Sequence, residues 1–182
     1  KKVIAEDINC FGEGVIFDGN IVFLSKSDGV QIVEINQRGE EVSRIPIKPI
    51  GIQSQLIVTD ELYAFVDIDY EHSNNNQSCL CFISKEDESE RSYPLASIIP
   101  DYSYGGNVIM REYDGVFYLK YSRTVTMCDS HGNIQGNIDL DSEAIAMRID
   151  NDGNIYTLTY NRELECYDKR GVRSKNNYES AN

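Results

Sequence analysis

The chain has 182 residues, of which 41% are hydrophobic and 10% aromatic, and it carries a formal net charge of −13. This length suits one domain with a real core, and the aromatic content argues against a disordered chain. The acidic excess, without any cluster of Lys and Arg, argues against nucleic acid and anionic membranes as partners. We therefore expect one soluble domain with no nucleic acid and no membrane among its partners.

The chain contains five cysteines, namely Cys10, Cys79, Cys81, Cys128 and Cys166. An odd number excludes complete internal disulfide pairing, and most of these residues lie in apolar strand patterns, which predicts buried free thiols. The two histidines stand in different repeats and no CxxC pair accompanies them, so no metal site is predicted. Free thiols favour the cytoplasm, but the sequence leaves the compartment unknown and a removed signal peptide open.

The first repeat covers residues 14–47 and reads as four short strands, labelled A to D. The strands are expected at residues 15–17, 21–25, 30–35 and 41–47. The turn between strands A and B is Asp18-Gly19. Asp-Gly between apolar runs is a strong hairpin signal, because a tight primed turn needs positive φ at its central residues. The repeat is therefore predicted to be an antiparallel meander.

Three further repeats follow, over residues 55–95, 107–140 and 144–171, with A–B turns at Asp60-Glu61, Asp114-Gly115 and Asp152-Gly153. Their strands are expected at residues 55–58, 62–67, 78–84 and 92–95, at 107–111, 116–121, 124–128 and 133–140, and at 145–149, 155–160 and 164–168. Only residues 95–99 suggest a helical turn. A period of about 40 residues is typical of propeller blades. The sequence predicts an all-β, β-propeller-like array of about four four-stranded antiparallel blades.

The fourth repeat, DGNIYTLTYNRELECYDKRG over residues 152–171, has the most regular form. It resembles blades of the NHL, SMP-30/gluconolactonase and related six-bladed propeller families. The resemblance implies a propeller fold. It implies little about function, because those families include scaffolds, receptors and enzymes.

The N-terminal residues 1–8 match strand D of the first repeat, residues 40–47, whereas residues 172–178 have almost no apolar pattern. The sequence therefore predicts that residues 1–8 pair with residues 164–168 and close the array, which leaves no unpaired sheet edge. Closure as four blades is one solution. The other is that the chain is part of a longer propeller or self-associates to complete one.

The A–B and C–D turns of such a meander lie at one end, here called the tight-turn end, and the B–C and D–A connections lie at the other, the irregular end. In the second repeat the irregular end has two long loops, residues 68–77 and 98–106. Loops on a rigid scaffold often carry binding residues. The predicted partner-binding residues are Tyr70, Tyr102 and Tyr104, with an acidic rim that includes Asp67, Asp69, Glu71 and Asp101.

Two classes of function remain open at this stage. The first is a non-catalytic binding or scaffold module that engages a protein or glycan and has no cofactor. The alternative, implied by the SMP-30 resemblance, is a calcium-dependent, lactonase-like or hydrolytic enzyme with Glu13, Asp67 and Glu143 near a central channel; no catalytic residue is assigned. Residues 150–154 look like the start of a calcium loop, but the position of the bidentate Glu holds Asn161, so a hairpin is predicted.

Overall fold

The structure is a computed structural model that describes residues 10–26, 29–49, 51–70, 77–103 and 106–174. The chain divides into two compact units, Lys1–Gly106 (unit 1) and Asn107–Asn182 (unit 2). Each unit contains two antiparallel sheets whose strands follow one another in sequence order. This confirms the all-β, propeller-like array that the repeats predict.

Unit 1 contains two four-stranded sheets. The first consists of β1 (Cys10–Phe17), β2 (Asn20–Ser25), β3 (Val30–Ile35) and β4 (Glu41–Ile47). The second consists of β5 (Ile52–Val58), β6 (Leu62–Asp67), β7 (Cys79–Ser84) and β8 (Glu90–Pro94), and the helical turn α1 (Leu95–Ile98) follows it. In the part of the chain that the structure describes, no helix has the length and apolar character needed to cross a membrane.

Unit 2 contains a four-stranded and a three-stranded sheet. The first consists of β9 (Ile109–Tyr113), β10 (Val116–Tyr121), β11 (Thr124–Cys128) and β12 (Ile134–Asp139). The second consists of β13 (Ala144–Ile149), β14 (Ile155–Thr159) and β15 (Leu164–Tyr167). The bounds of β10 and β11 are those that the sequence predicts.

The outer edge of β15 is partly occupied by the chain that follows it. Arg173 forms an isolated antiparallel bridge with Tyr167, and the Ser174 N–H donates to the Cys166 carbonyl oxygen at 2.7 Å. Residues 1–8 lie outside the described residues, so their pairing with residues 164–168 stays a prediction. The edge that they would need is already paired at Cys166 and Tyr167.

Two A–B turns have the geometry that their Asp-Gly sequences predict. The φ angles are +46° and +77° at Asp18 and Gly19, and +52° and +76° at Asp114 and Gly115. Positive φ at both central residues defines the type I′ turn, whose twist matches that of the flanking strands. The turn at Asp60-Glu61 differs, because the Thr59 hydroxyl accepts the N–H groups of residues 61 and 62 at 3.3 and 3.1 Å.

Four described turns share a five-residue loop in which the first side chain accepts two backbone N–H groups. The loops span residues 36–40, 129–133, 150–154 and 168–172. The acceptor is Asn36 in the first loop, and Asp129, Asp150 and Asp168 in the others. In loop 150–154 these bonds are both 2.9 Å long, and Gly153 takes a φ of +81°. Residues 150–154 are therefore the hairpin between β13 and β14.

The three aspartate loops lead to a prediction about acid stability. Hydrogen bonds within each loop lower the pKa of Asp129, Asp150 and Asp168 below the ordinary 3.8. Such carboxylates stabilise the fold above the unfolded-state pKa, and this stability is lost as pH falls through the folded-state pKa. Asparagine keeps the acceptor oxygen, as Asn36 shows, and does not titrate. When the pH falls below about 4, the melting temperature of the variant with all three replaced by Asn should therefore decrease less than that of wild type. If the melting temperatures of wild type and of the variant fall equally at acid pH, this explanation would be contradicted.

Alternating strand residues build a core in each unit. In unit 1, β1 lies beside β5, and the core contains Val22, Leu24, Phe65 and Ile83 at 0–1% exposure. In unit 2, β9 lies beside β13, and a separate core includes the buried residues Val125, Ile138, Met147, Ile155 and Tyr167. Each unit therefore packs two sheets through an apolar interface, as neighbouring propeller blades do.

Candidate functional site

The irregular end of the second sheet begins at a hydrogen-bonded junction between β5 and β6. The Gly51 N–H donates to Oδ1 of Asp67 at 2.7 Å, and the Ile68 N–H donates to the Gly51 carbonyl oxygen at 3.0 Å. Asp67 and Ile68 are both buried. The chain therefore leaves β6 from a fixed point.

Ser78, which directly precedes β7, is the second fixed point of this connection. Its hydroxyl oxygen accepts the Asp69 N–H at 2.9 Å, and its carbonyl oxygen accepts the Leu95 N–H at 2.9 Å. Asp69, Ser78 and Leu95 are all buried. This one serine therefore connects the loop after β6 to the start of α1, so both long connections of the second repeat share an ordered base.

Tyr70 projects from this base into solvent. Its side chain is 53% exposed, although Asp69 beside it is fully buried. One edge of the ring lies against Gly51, because a Cβ at residue 51 would lie 3.6 Å from Cδ2 of Tyr70. Tyr70 is thus an exposed aromatic ring that follows the hydrogen-bonded Asp69 and has one edge near Gly51.

The second long connection continues from α1. The Ile99 N–H donates to the Leu95 carbonyl oxygen at 2.8 Å, and the Tyr102 N–H donates to the Ile99 carbonyl oxygen at 3.3 Å. Between them Asp101 takes a left-handed φ of +56° and is exposed, whereas Tyr102 is half-buried. This segment is a compact turn in which an acidic side chain faces solvent.

The predicted binding residues therefore divide into four groups. Tyr70 and Asp101 are exposed and Tyr102 is half-buried, whereas Tyr104 and Glu71 lie outside the described residues. The placement of Asp67 and Asp69 on an acidic rim is wrong, since both residues are buried and Asp67 accepts the Gly51 N–H. That Tyr70, Tyr102 and Tyr104 form one contiguous patch stays a prediction.

The tight-turn end of unit 1 contains a group of polar and aromatic residues that the sequence pattern does not predict. The Lys85 ammonium lies 4.1 Å from the ring centroid of Phe17 and 4.9 Å from that of Tyr63. The Tyr63 hydroxyl donates to Oε2 of Glu34 at 3.1 Å, and Nδ2 of Asn20 donates to Oε1 at 2.6 Å. We call these five residues the Lys85 cluster. Its one signal in the sequence is a single lysine at the start of the acidic turn 85–90.

The D–A connection within unit 2, residues 140–144, is held by side chains rather than open. The buried Lys120 ammonium donates to the Ala144 carbonyl oxygen, and Arg123 donates to the Asp141 carbonyl oxygen. The Asp141 N–H donates to the Tyr167 hydroxyl oxygen at 2.9 Å. This connection is therefore short and held in place by side chains.

The buried carboxylate of Glu165 lies beside the connection of residues 140–144. Glu165 is 2% exposed and accepts hydrogen bonds from the hydroxyl groups of Tyr167 and Ser142 at 2.7 and 3.1 Å. Arg173 forms ion pairs with Glu165 at 3.3 Å and with Asp141 at 2.5 Å. Burial, and the nearby Glu165 carboxylate, raise the pKa of Tyr167 to about 12. Tyr167 therefore acts here as a neutral hydrogen-bonding group.

The cysteines and acidic residues bear on whether the described ranges contain a metal site. Cys79, Cys81, Cys128 and Cys166 are free thiols, and burial raises the pKa of Cys81 and Cys128 to about 12. Within those ranges no group of three or more His, Cys, Asp and Glu residues is placed to hold a metal ion. Of the channel residues considered for calcium, Asp67 accepts the Gly51 N–H and Glu143 is exposed.

Comparison with solved structures supports the fold. BamB from Moraxella catarrhalis aligns with a TM-score of 0.59 and 10% identity over 86% of this chain and 44% of its own. A protein of unknown function from Bacteroides caccae aligns with a TM-score of 0.60 and 14% identity over 94% of this chain and 70% of its own. This chain therefore spans less than half the length of BamB. No protein-family model and no curated protein matches the sequence. The likeness shows a β-propeller-like fold.

Proposed function

We propose that this chain is a non-catalytic binding module that engages a protein partner through the irregular end of unit 1. The observation that carries the proposal is the exposed ring of Tyr70 on a base fixed by Gly51, Asp67 and Ser78. Tyrosine buries a large area on binding and loses little side-chain entropy. A fixed base further lowers the cost of ordering the loop, because that ordering exists before the partner arrives.

Charge indicates the character of the partner. The chain carries a net charge of −13, and the exposed Asp101 lies in the second loop of the same end. An acidic surface steers a basic partner by long-range attraction. We therefore propose a protein segment that bears Lys or Arg. A glycan stacked on Tyr70 is the other outcome of the test below, and the NHL- or SMP-30-like character of the blades and any self-association remain proposals.

Replacing Tyr70 with alanine should weaken partner capture by at least about tenfold, or about 1.4 kcal/mol, because an exposed aromatic anchor is lost. The melting temperature should change little, since the ring lies outside the core. The matched control is Tyr160→Ala, which removes a 69% exposed tyrosine from the turn after β14. The measurement is quantitative recovery of partners from the native source with both variants and wild type.

The comparison between the two tyrosines decides the outcome. Loss of a protein with Tyr70→Ala and its retention with Tyr160→Ala would support the proposal. If Tyr70→Ala loses only a glycan, the partner would be a carbohydrate and not a protein. Equal recovery with all three forms would remove Tyr70 from the binding face.

A further inference from the structure

The Lys85 cluster has the components of a cation-binding site. A lysine ammonium lies over two aromatic rings at 4.1 and 4.9 Å, within the distance at which ring faces attract cations. The Glu34 carboxylate hydrogen bonds to the Tyr63 hydroxyl on the same side. The exposed carboxylates of Asp18 and Asp60 add negative potential around Lys85. The cluster lies at the tight-turn end, so an inference from it is independent of the function proposed above.

The Lys85 ammonium is held by ring faces and by nearby charge. Both Glu34 oxygens already accept hydrogen bonds, from Asn20 and Tyr63. Over the described ranges the Lys85 ammonium has no hydrogen bond and no ion pair within 4.0 Å. Burial lowers the pKa of Lys85, although the surrounding carboxylates oppose this shift. Among the described residues, the two rings and the surrounding negative charge therefore hold the Lys85 ammonium without a direct hydrogen bond.

A quaternary ammonium group suits this environment better than a primary one. It keeps the positive charge that the rings and carboxylates attract, and it has no N–H groups that need acceptors. A primary ammonium is strongly hydrated and loses part of that hydration when it enters the same place. The chemistry of the cluster therefore favours a trimethylated ammonium.

We propose that Phe17, Tyr63 and Glu34 form a binding site for a trimethylated ammonium group, which Lys85 fills in the free chain. Lys85 is half-buried at the first position of the turn after β7, and its backbone N–H donates to the Glu61 carbonyl oxygen at 2.9 Å. Its side chain can thus leave while its backbone stays in place. The ligand is either trimethyl-lysine in a protein or a choline-type group, which share this chemistry.

The test uses choline and its neutral isostere, 3,3-dimethylbutan-1-ol, as probes of Lys85→Ala. Removal of the Lys85 side chain should vacate the site. Choline should then bind Lys85→Ala at least about tenfold more tightly than it binds wild type, and Lys85→Ala should bind choline at least about tenfold more tightly than it binds the isostere. Adding Phe17→Leu to Lys85→Ala should abolish this preference, because leucine keeps the packing and removes the ring face. Lys85→Ser serves as a second vacated form. Binding is measured by NMR titration, with thermal melting as the check of folding.

A second arm uses the wild-type chain. The Lys85 ε-methylene signals should be shifted by the two rings, and a trimethyl-lysine peptide should move them towards the values of a free lysine. The unmethylated peptide should not. Tighter binding of the peptide than of choline would identify a protein source, and the reverse a small molecule or headgroup. Equal binding of choline and its isostere to the folded variants, or Lys85 signals that no trimethylated ligand moves, would overturn the proposal.

Discussion

Replacing Gly51 with alanine is expected to lower the free energy of unfolding by about 2–3 kcal/mol, because the added methyl group collides with backbone. A Cβ at this position would lie 2.5 Å from the Ile68 carbonyl oxygen, which cannot rotate away as a side chain can. Ile68 must shift, and it lies two residues before Tyr70. The melting temperature should fall by about 5–10 °C, and partner capture should fall with it.

Gly136→Ala is the matched control for this prediction. Its Cβ would lie 3.0 Å from Cε of Met127, the far end of a flexible side chain, so the cost should stay below about 1 kcal/mol. Both variants are compared by chemical denaturation. If Gly51→Ala unfolds at the same denaturant concentration as Gly136→Ala, the junction between Gly51 and Ile68 is not the fixed base on which Tyr70 depends.

Replacing Arg173 with methionine should cost about 2 kcal/mol, since it leaves the buried Glu165 carboxylate without its cationic partner. This value lies below that of a fully buried pair because the Arg173 side chain is 45% exposed. Adding Glu165→Gln should recover part of the loss, giving a coupling energy of at least about 1 kcal/mol in a double-mutant cycle.

The control for the ion pair is Arg170→Met. Arg170 pairs with Asp168 at 3.1 Å, but its side chain is 78% exposed, so its removal should cost less than about 0.5 kcal/mol. A coupling energy near zero for Arg173 and Glu165, or an equal cost for Arg170→Met, would show that Arg173 is not a partner on which the buried carboxylate depends.

The fold was predictable because its signals are local. Asp18-Gly19 and Asp114-Gly115 adopt the primed turns that their sequences indicate, and the alternation of β10 and β11 places their bounds. Arg173 is the exception at this level. Its bridge to Tyr167 is accompanied by an ion pair with Glu165, and an apolar pattern gives no sign of such a pairing.

The candidate site was predictable only in part, because its details are set by the tertiary structure. The exposed Tyr70 follows from loop length and composition. The burial of Asp67 does not, since it depends on the Gly51 N–H, which lies 16 residues earlier in the chain. The Lys85 cluster needs residues from both sheets of unit 1, and their separation along the chain hides the group from any local pattern.

The central claim is that the end of unit 1 that carries Tyr70 binds a protein partner, and site-specific photo-crosslinking tests it most directly. A benzophenone amino acid is placed at position 70 in one preparation and at position 160 in another, and each is irradiated in an extract of the native source. We predict one or more protein adducts at position 70 that are absent at position 160 and that excess unlabelled wild-type chain removes. Identical adducts at the two positions, or none at position 70, would contradict the claim.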